Sequence, residues 1–271
     1  MRLLRYNSLT DMADWVIDFP AEYYLNQGVT PEYHGNMGID PEKVLAGQSV
    51  FVKTDLLMQV IDGLQQIKQP WHLLTGNSDL EIPLAVLEKL ICLPNLCSWS
   101  GNNLRALDCR FLQIPIGINS LGTMRPNTFT VLPEIPSCKP IKICIAPITF
   151  THPERQELSN WHLKDCYTAE ERLSWPDYLA LLGASKYSVC PRGNGMDTHR
   201  LMESIIMGAV PIVKSSWLNP LYQELGCEIL ETWNEMSNLD AIIKNTNHHA
   251  ATFDYWHSRL QNHQTNCQGN L

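Results

Sequence analysis

Short apolar runs alternate with amphipathic helical patterns through the first half of the chain. The residues from Ser49 to Lys53 (SVFVK) predict a buried strand, and Asp55 is expected to cap an amphipathic helix that runs to about residue 68. Further apolar runs, from His72 to Thr75, Leu96 to Trp99 and Leu112 to Ile118, predict additional strands. This alternation of strands and helices is typical of parallel βα units.

A proline-rich segment between Asn119 and Pro140 interrupts the pattern. It contains four prolines and no helical periodicity, which is typical of a linker between domains. We therefore predict an N-terminal domain over residues 1–120, a linker over 121–140 and a C-terminal domain over 141–249. A terminal helix from about 250 to 271, with aromatic residues at roughly helical spacing, is expected to pack back onto the N-terminal domain.

The strand and helix pattern restarts after the linker. Ile141 to Ile148 predicts a buried strand, and Glu154 to about Lys164 predicts a helix. Ser174 is expected to cap another helix. Short apolar runs from Tyr187 to Cys190 and from Val210 to Val213 predict two strands that enclose one further helix. Both halves of the chain are therefore predicted to be α/β domains.

The composition narrows the class of protein. The chain has 271 residues, of which 44% are hydrophobic, and this is enough for one large domain or two smaller ones. Its 20 basic and 28 acidic residues give a net charge of −8, which argues against general nucleic-acid binding. No apolar run reaches the ~18 residues of a membrane span, and the first residues lack the apolar core of a secretory signal. The nine scattered cysteines are predicted to be reduced and buried.

The segment from Cys190 to Val213 combines a strand, a glycine-containing loop, a helix and a second strand. Gly193 and Gly195 would let the backbone approach a ligand closely and would leave amide groups exposed at the start of the helix. Asp197 or Thr198 is a suitable N-cap for that helix. A helix N-terminus that follows such a loop is a site for anions, and in an open parallel sheet ligands bind at the carboxyl ends of the strands.

Charged side chains in and around this segment fit an anionic ligand. Arg192 in the loop and Arg200 near the start of the helix can direct guanidinium groups at phosphate oxygens. Arg155, near the end of an earlier strand, is either a third such group or a surface residue. Glu203 lies three positions after Arg200 among apolar neighbours, and therefore needs a partner. It either pairs with Arg200 or accepts hydrogen bonds from the hydroxyl groups of a ribose.

Spacing excludes two other loops that bind anions. A P-loop requires a lysine that is absent from this segment. A phosphatase loop of the C-x5-R type would need an arginine at the position that Met196 occupies. Cys190 is therefore interpreted as a buried strand residue and not as a nucleophile.

The same segment, CPRGNGMDTHRLMESIIMGAVPIV, resembles the donor-site signature of exostosin-like glycosyltransferases. Both glycines, both arginines, the glutamate and the G-x-V-P turn of that signature are in place. A weaker likeness covers FVKTDLL, LLTGNSDLEIP, WSGNN and IPIGI, so that the resemblance spans roughly residues 49–215. It implies an α/β protein of GT-B architecture, with two Rossmann-like domains facing each other across a cleft, and an inverting transfer of a sugar.

The resemblance also implies what the site would bind. The donor would be a nucleoside-diphosphate sugar, with UDP as the default nucleotide, and the acceptor would be a hydroxyl group of a glycan. Donor binding is assigned to Arg155, Arg192, Gly193, Asn194, Gly195, Asp197, Thr198, Arg200 and Glu203. Enzymes of this architecture typically neutralise the leaving diphosphate without a metal, and the sequence has no D-x-D motif, so neither a metal nor another cofactor is expected.

The general base and the acceptor site are expected at the carboxyl ends of strands in the N-terminal domain. Asp79 follows the strand that ends at Thr75 and is the first candidate for the base, with Glu81 in reserve. A role for Asp79 in a turn or as a helix cap is the alternative. Asn102 and Asn103 are candidates for hydrogen bonds to sugar hydroxyls, or they simply form a turn.

The sugar stays open among xylose, glucuronic acid, galactose and N-acetylglucosamine, and the short chain favours a xylosyltransferase. One alternative is a GT-B module that binds a nucleotide or a glycan without catalysis. Another is a hydrolase or epimerase that acts on sugar nucleotides. Animal exostosins carry a membrane anchor, which this sequence lacks. We therefore expect a cytoplasmic enzyme of viral or bacterial type, or a chain without its anchor.

Overall fold

The apolar runs of the sequence form two parallel β-sheets, each in its own part of the chain. The computed structural model describes residues 2–26, 35–93, 95–119, 134–159, 166–169, 171–239 and 246–268. The chain divides into an N-terminal unit, Leu4–Thr128 with Asp254–Leu271, and a C-terminal unit, Met1–Leu3 with Phe129–Phe253. Residues 121–133 of the predicted linker lie outside the described residues.

The N-terminal sheet contains, in its described part, five parallel strands that neighbour one another in sequence order. They are β1 (Trp15–Ile17), β2 (Ser49–Lys53), β3 (Trp71–Gly76), β4 (Leu96–Gly101) and β5 (Phe111–Gln113). The helices of this part are α1 (Ala21–Leu25), α2 (Leu57–Leu64) and α3 (Leu84–Ile91). Every residue of β2, β3 and β4 is buried, as is typical of a parallel sheet covered on both faces.

One apolar face of α2 packs into the core of this unit. Its buried residues, Leu57, Val60, Ile61 and Leu64, follow the spacing of a single helix face. They join a hydrophobic cluster that also contains Trp99 of β4. The predicted amphipathic helix is therefore confirmed, and its apolar face holds it on the sheet.

The start and the end of α2 differ from the sequence prediction. Asp55 does not cap this helix but lies in a short 3₁₀ helix, Thr54–Leu56, that precedes it. Its carboxylate is 3.4 Å from the Nζ atom of Lys53, and this neighbouring ammonium group competes with helix amides for the carboxylate. The helix ends at Leu64 and not near residue 68.

The strand predicted from Leu112 to Ile118 is also shorter in the structure. Strand β5 ends at Gln113, because Pro115 has no amide hydrogen to donate to a strand ladder. Ile118 instead forms an isolated parallel bridge with Arg5.

The C-terminal sheet contains, in its described part, five parallel strands in the spatial order β10-β9-β8-β6-β7. They are β6 (Ile141–Ile145), β7 (Cys166–Thr168), β8 (Ser185–Val189), β9 (Val210–Lys214) and β10 (Glu228–Leu230). From β6 the chain passes to β7 on one side and then to β8 on the other side. The order of the strands therefore reverses between β6 and β8. Such a topological switch point is where ligands bind in open α/β sheets, at the carboxyl ends of the strands.

Four helices accompany this sheet in the described residues: α4 (Pro153–Ser159), α5 (Trp175–Ala184), α6 (His199–Ile206) and α7 (Asn219–Leu225). Ser174 caps α5 as predicted, since its side chain accepts a hydrogen bond from the amide of Asp177 at 3.3 Å. Strand β6 ends at Ile145 instead of Ile148, because Pro147 cannot continue the ladder. The helix predicted from Glu154 to about Lys164 corresponds to α4, and its part from residue 160 onward lies outside the described residues.

The terminal helix α8 (Phe253–Gln268) packs on the N-terminal unit, to which residues from Asp254 onward belong. The side-chain amide of Gln264 donates to the hydroxyl of Ser49 at 2.8 Å, and Nε2 of His263 lies 3.0 Å from the carbonyl oxygen of Arg110. Neither α8 nor any other helix in the described part of the chain is long and apolar enough to cross a membrane.

Candidate functional site

Two loops leave the carboxyl ends of the strands at the switch point of the C-terminal sheet. The β6 loop comprises residues 146–152, between β6 and α4, and the β8 loop comprises residues 190–198, between β8 and α6. The sequence prediction placed its anion-binding segment in the β8 loop. Topology therefore brings this loop to the edge at which parallel α/β sheets hold ligands.

Arg200 connects the helix that follows the β8 loop to the β6 loop. This half-buried side chain donates from Nη2 to the carbonyl oxygen of Pro147 at 2.6 Å and from Nη1 to that of Ala146 at 3.3 Å. Two carbonyl groups at the end of β6, which the strand ladder does not use, thus receive a charged donor.

Arg155 makes the reciprocal connection from α4 to the β8 loop. Its Nε atom donates to the carbonyl oxygen of Arg192 at 2.7 Å, and Nη2 donates to that of Pro191 at 3.4 Å. Its Nη1 atom also lies 3.2 Å from the hydroxyl of Thr149 and 3.3 Å from the carbonyl oxygen of the same residue. Arg155 is therefore part of the site and not an isolated surface residue. Arg200 thus connects α6 to the β6 loop, and Arg155 connects α4 to the β8 loop.

Gly193 lies close to the guanidinium group of Arg155. A Cβ atom added at Gly193 would lie 3.0 Å from Nη2 of Arg155 and 3.5 Å from the hydroxyl oxygen of Thr151. The amide of Gly193 donates within the loop, to the carbonyl oxygen of Gly195 at 3.0 Å, so it is already engaged. Gly193 is thus close to a side chain of the protein itself, and the close approach to a ligand stays a prediction.

Arg192 and Asn194 form the outer part of the β8 loop. Arg192 is half-buried, and its Nη2 atom donates to the carbonyl oxygen of Asn194 at 3.4 Å. Its amide donates to the carboxylate of Glu154 at 3.3 Å. Burial raises the pKa of Glu154 although the amide of Arg192 and nearby cationic groups oppose this shift. The side chain of Asn194 is exposed at the tip of the loop.

Helix α6 starts at the predicted position, with one of the two predicted residues at its N-cap. Thr198 occupies the N-cap, yet its side chain makes no capping hydrogen bond. Asp197 is buried and accepts a hydrogen bond from the amide of Thr198 at 2.8 Å. Asp197 therefore stabilises the turn into the helix from inside the protein.

Glu203 has a partner that neither sequence alternative considered. Its side chain is 1% exposed, and its Oε2 atom accepts a hydrogen bond from the hydroxyl of Tyr178 on α5 at 2.7 Å. Burial, followed by the negative charge of Glu203, raises the pKa of Tyr178 well above its usual range, so the phenol stays a donor. The carboxylate is thus directed into the packed region of α5 and α6.

Cys190 is buried as predicted, but it follows β8 directly instead of lying in the strand. Desolvation raises the pKa of its thiol to about 12, so the thiolate required of a nucleophile is disfavoured. All nine cysteines are free thiols, as predicted, and the buried ones include Cys144 and Cys227. The prediction that the cysteines are buried is wrong for three of them, which are exposed: Cys92, Cys109 and Cys138.

The predicted acceptor residues lie at the carboxyl ends of β3 and β4 in the N-terminal unit. Asp79 and Glu81 are both exposed after β3. Helix α3 begins at Leu84 with Pro83 at its N-cap, so Asp79 does not cap it. Of the two roles considered for Asp79, the helix-cap role is therefore wrong.

Asn102 and Asn103 are buried, each with 2% of its surface exposed. The side-chain amide of Asn102 donates to the carbonyl oxygens of Ile114 at 2.9 Å and Pro115 at 3.0 Å. Asn103 has a φ angle of 48° and donates to the carbonyl oxygen of Ser78 at 3.3 Å. These bonds fit the turn interpretation, because both side chains tie neighbouring loops together.

Lys53 also lies at the carboxyl ends of the N-terminal strands, and it was not predicted as a site residue. It ends β2, is 8% exposed, and donates from Nζ to the carbonyl oxygen of Asn77. The available signal was a lysine at the end of an otherwise apolar strand. Among the described residues, no three His, Cys, Asp or Glu side chains are grouped so that they could hold a metal ion.

Neither a protein-family model nor a curated protein sequence matches this chain.

Proposed function

We propose that the protein is an inverting, metal-independent glycosyltransferase of GT-B type. It transfers a sugar from a nucleoside-diphosphate donor, with UDP as the default nucleotide, to a hydroxyl group of a glycan. The observation that carries the proposal is the reciprocal bonding of Arg155 and Arg200 across the β6 and β8 loops at the switch point of a parallel sheet.

The leaving group of such a reaction is a nucleoside diphosphate, and stabilising its developing charge is a major task of the protein. Guanidinium groups suit this task because their donors match phosphate oxygens in pairs and keep their charge at any working pH. Arg155 and Arg200 position the loops through backbone carbonyls, and Arg192 is the arginine that we assign to direct phosphate contact. The first turn of α6, which starts at His199, adds the positive end of a helix dipole.

In this proposal Glu203 supports the donor site without contacting the ligand. Its hydrogen bond with Tyr178 connects α5 to α6, the helix that carries Arg200. Its contribution is to hold that helix in place, because a carboxylate that is 1% exposed does not meet a ribose without rearrangement.

The experiment is a calorimetric titration of the full chain with UDP, repeated with Arg192→Ala. Loss of a hydrogen bond to a charged group, about 1.5–3 kcal/mol, would weaken binding roughly 10- to 150-fold. Arg172→Ala is the matched control, because Arg172 is an exposed arginine of the same unit outside both loops. Equal UDP affinity in Arg192→Ala and the unaltered protein would contradict the assignment.

Transfer is tested separately by product analysis with UDP-sugars and glycan acceptors. A transferase sustains turnover only when an acceptor is present, whereas a hydrolase releases the sugar without one. Binding of UDP with no turnover of any donor and acceptor pair would favour the binding module over the enzyme.

A further inference from the structure

Phe150 is an aromatic side chain that folding leaves in the solvent. It lies in the β6 loop and is 64% exposed, although the strand before it is buried from Ile143 to Ile145. A single exposed apolar residue is ordinary in a protein surface. What distinguishes Phe150 is how tightly the backbone on both sides of it is held.

The backbone at Phe150 forms a γ-turn. The amide of Thr151 donates to the carbonyl oxygen of Thr149 at 2.8 Å, and this bond encloses Phe150 as the central residue. A three-residue turn closed in this way fixes the direction in which its central side chain leaves the chain.

The two threonines that flank Phe150 lie close to Arg155 and Gly193 of the proposed donor site. The hydroxyl of Thr149 is 3.2 Å from Nη1 of Arg155. The hydroxyl of Thr151 is 3.5 Å from the position of a Cβ atom on Gly193, in the β8 loop. Phe150 therefore lies between two residues that are close to the arginine and the glycine of the loops at the switch point.

We propose that Phe150 is the platform on which the base of the donor nucleotide stacks. This assignment depends on the proposed function, because it names a second part of the same donor site. A phosphate ion alone needs cationic and amide donors, and an exposed aromatic ring adds nothing to its binding. A nucleoside diphosphate carries in addition a flat base with an apolar face, which stacks on aromatic side chains.

The γ-turn makes the platform rigid before the ligand arrives. Ordering a rotamer-rich side chain or a loop on binding costs free energy that preorganisation removes. Arg155 contributes to this preorganisation through Thr149, so one side chain connects the platform to the β8 loop. Stacking tolerates any base, and for this reason the proposal concerns nucleoside diphosphates as a class.

The test compares two probes, UDP and inorganic pyrophosphate, on the full chain and on three substitutions of Phe150. Phe150→Ala should weaken UDP binding roughly 5- to 150-fold, the range for loss of one base–aromatic contact, and should leave pyrophosphate affinity unchanged. Phe150→Leu keeps an apolar side chain but no ring and should lose most of the same affinity. Phe150→Trp should retain it.

Tyr167→Ala is the control, since Tyr167 is an aromatic residue of the same unit on β7 with 51% of its surface exposed. It should bind both probes like the unaltered protein. Melting temperatures without ligand verify that each variant is folded.

The outcomes separate the two proposals. If the unaltered chain binds UDP and Phe150→Ala binds it equally well, or loses UDP and pyrophosphate in parallel, the platform assignment is overturned while the donor site stands. If the unaltered chain binds neither probe, the proposed function itself fails, and the assignment fails with it.

Discussion

At the scale of single residues, the backbone of a neighbouring strand determines that position 101 is glycine. A Cβ atom added at Gly101 would lie 2.3 Å from the carbonyl oxygen of Thr75 and 2.6 Å from the hydroxyl oxygen of the same residue. Strands β3 and β4 pair at these two residues, so the carbonyl group cannot move away without disturbing the ladder. Glycine is thus needed at position 101 for close packing inside the sheet.

Gly101→Ala should therefore destabilise the N-terminal unit by about 1–3 kcal/mol, the usual cost of overpacking a buried site. Gly63→Ala provides the matched control, because nothing lies within 4 Å of a Cβ atom at Gly63, inside α2. This second change should raise stability by about 0.5–1 kcal/mol through helix propensity. Urea unfolding curves of both variants measure the difference. Equal midpoints for the two alanine variants would contradict the prediction.

Asp79 is the first candidate for the general base of the proposed reaction. If the exposed carboxylate accepts the proton of the acceptor hydroxyl, Asp79→Asn should bind UDP normally and lose about 10²–10⁴ in turnover. Glu81→Gln is the control at the neighbouring exposed carboxylate. Single-turnover rates with saturating donor provide the measurement. A rate for Asp79→Asn within about threefold of the unaltered protein would leave Glu81 as the base or a mechanism without a base.

At the scale of secondary-structure elements, His72 connects strands β3 and β4 to the terminal helix α8. The ring is fully buried, with Nδ1 2.7 Å from the hydroxyl oxygen of Ser98 and Nε2 3.0 Å from the side-chain nitrogen of Gln268. Desolvation, with a further contribution from His263 and against the attraction of Asp14, lowers the pKa of His72 from 6.5 to about 4. The neutral ring can donate to Ser98 and accept from Gln268, whereas a protonated ring has only donors.

This arrangement predicts how stability depends on pH. Between pH 6.5 and about 4 the unfolded chain binds a proton at His72 and the folded chain does not. The contribution of His72 is therefore fully present above pH 6.5 and is lost as the pH falls toward 4. We expect the free energy of unfolding to be about 2 kcal/mol lower at pH 5 than at pH 7 from this group alone. In His72→Gln that part of the pH dependence should disappear, and an unchanged urea-unfolding profile in this variant would contradict the prediction.

The elements differ in how well the sequence predicts them, and length is the reason. Strand β2 has the bounds that its apolar run predicts, Ser49–Lys53, and α8 begins where its aromatic spacing begins. Strands β1, β7 and β10 have three residues each, which is too few to show a period, and none of them was predicted. Prolines also shorten β5 and β6 in ways that an apolar run alone does not reveal.

The candidate site could also be predicted only in part from the sequence. The residue types in the β8 loop identify Arg192 and Arg200, and the strand before α4 draws attention to Arg155. Which loops meet depends on the strand order, and this order follows from long-range pairing that no local pattern contains. For the same reason, the hydrogen bond from Tyr178 to Glu203 could not be predicted, because no local sequence pattern indicates that these two helices are in contact.

At the scale of the whole molecule, an acidic chain places three arginines at the candidate site. The net charge is −8, yet Arg155, Arg192 and Arg200 all belong to the loops and helix starts at the switch point of the C-terminal sheet. Repulsion between the acidic surface and an anionic donor is screened beyond roughly 8–10 Å at physiological salt. In the proposed donor site, guanidinium groups close to the ligand would therefore influence its binding more than the distant acidic surface does.

This distribution of charge leads to the last prediction, which concerns the reaction of the complete chain. If arginines and the start of α6 stabilise the leaving diphosphate, a divalent cation is not required for transfer. Turnover with a UDP-sugar and an acceptor should therefore continue in excess EDTA at a rate close to that without it. Raising the salt concentration should slow the reaction instead, since ions screen partly exposed guanidinium groups. A reaction that stops in EDTA and resumes with Mn²⁺ or Mg²⁺ would show that a metal carries the charge of the leaving group, and would overturn the assignment of that role to the arginines.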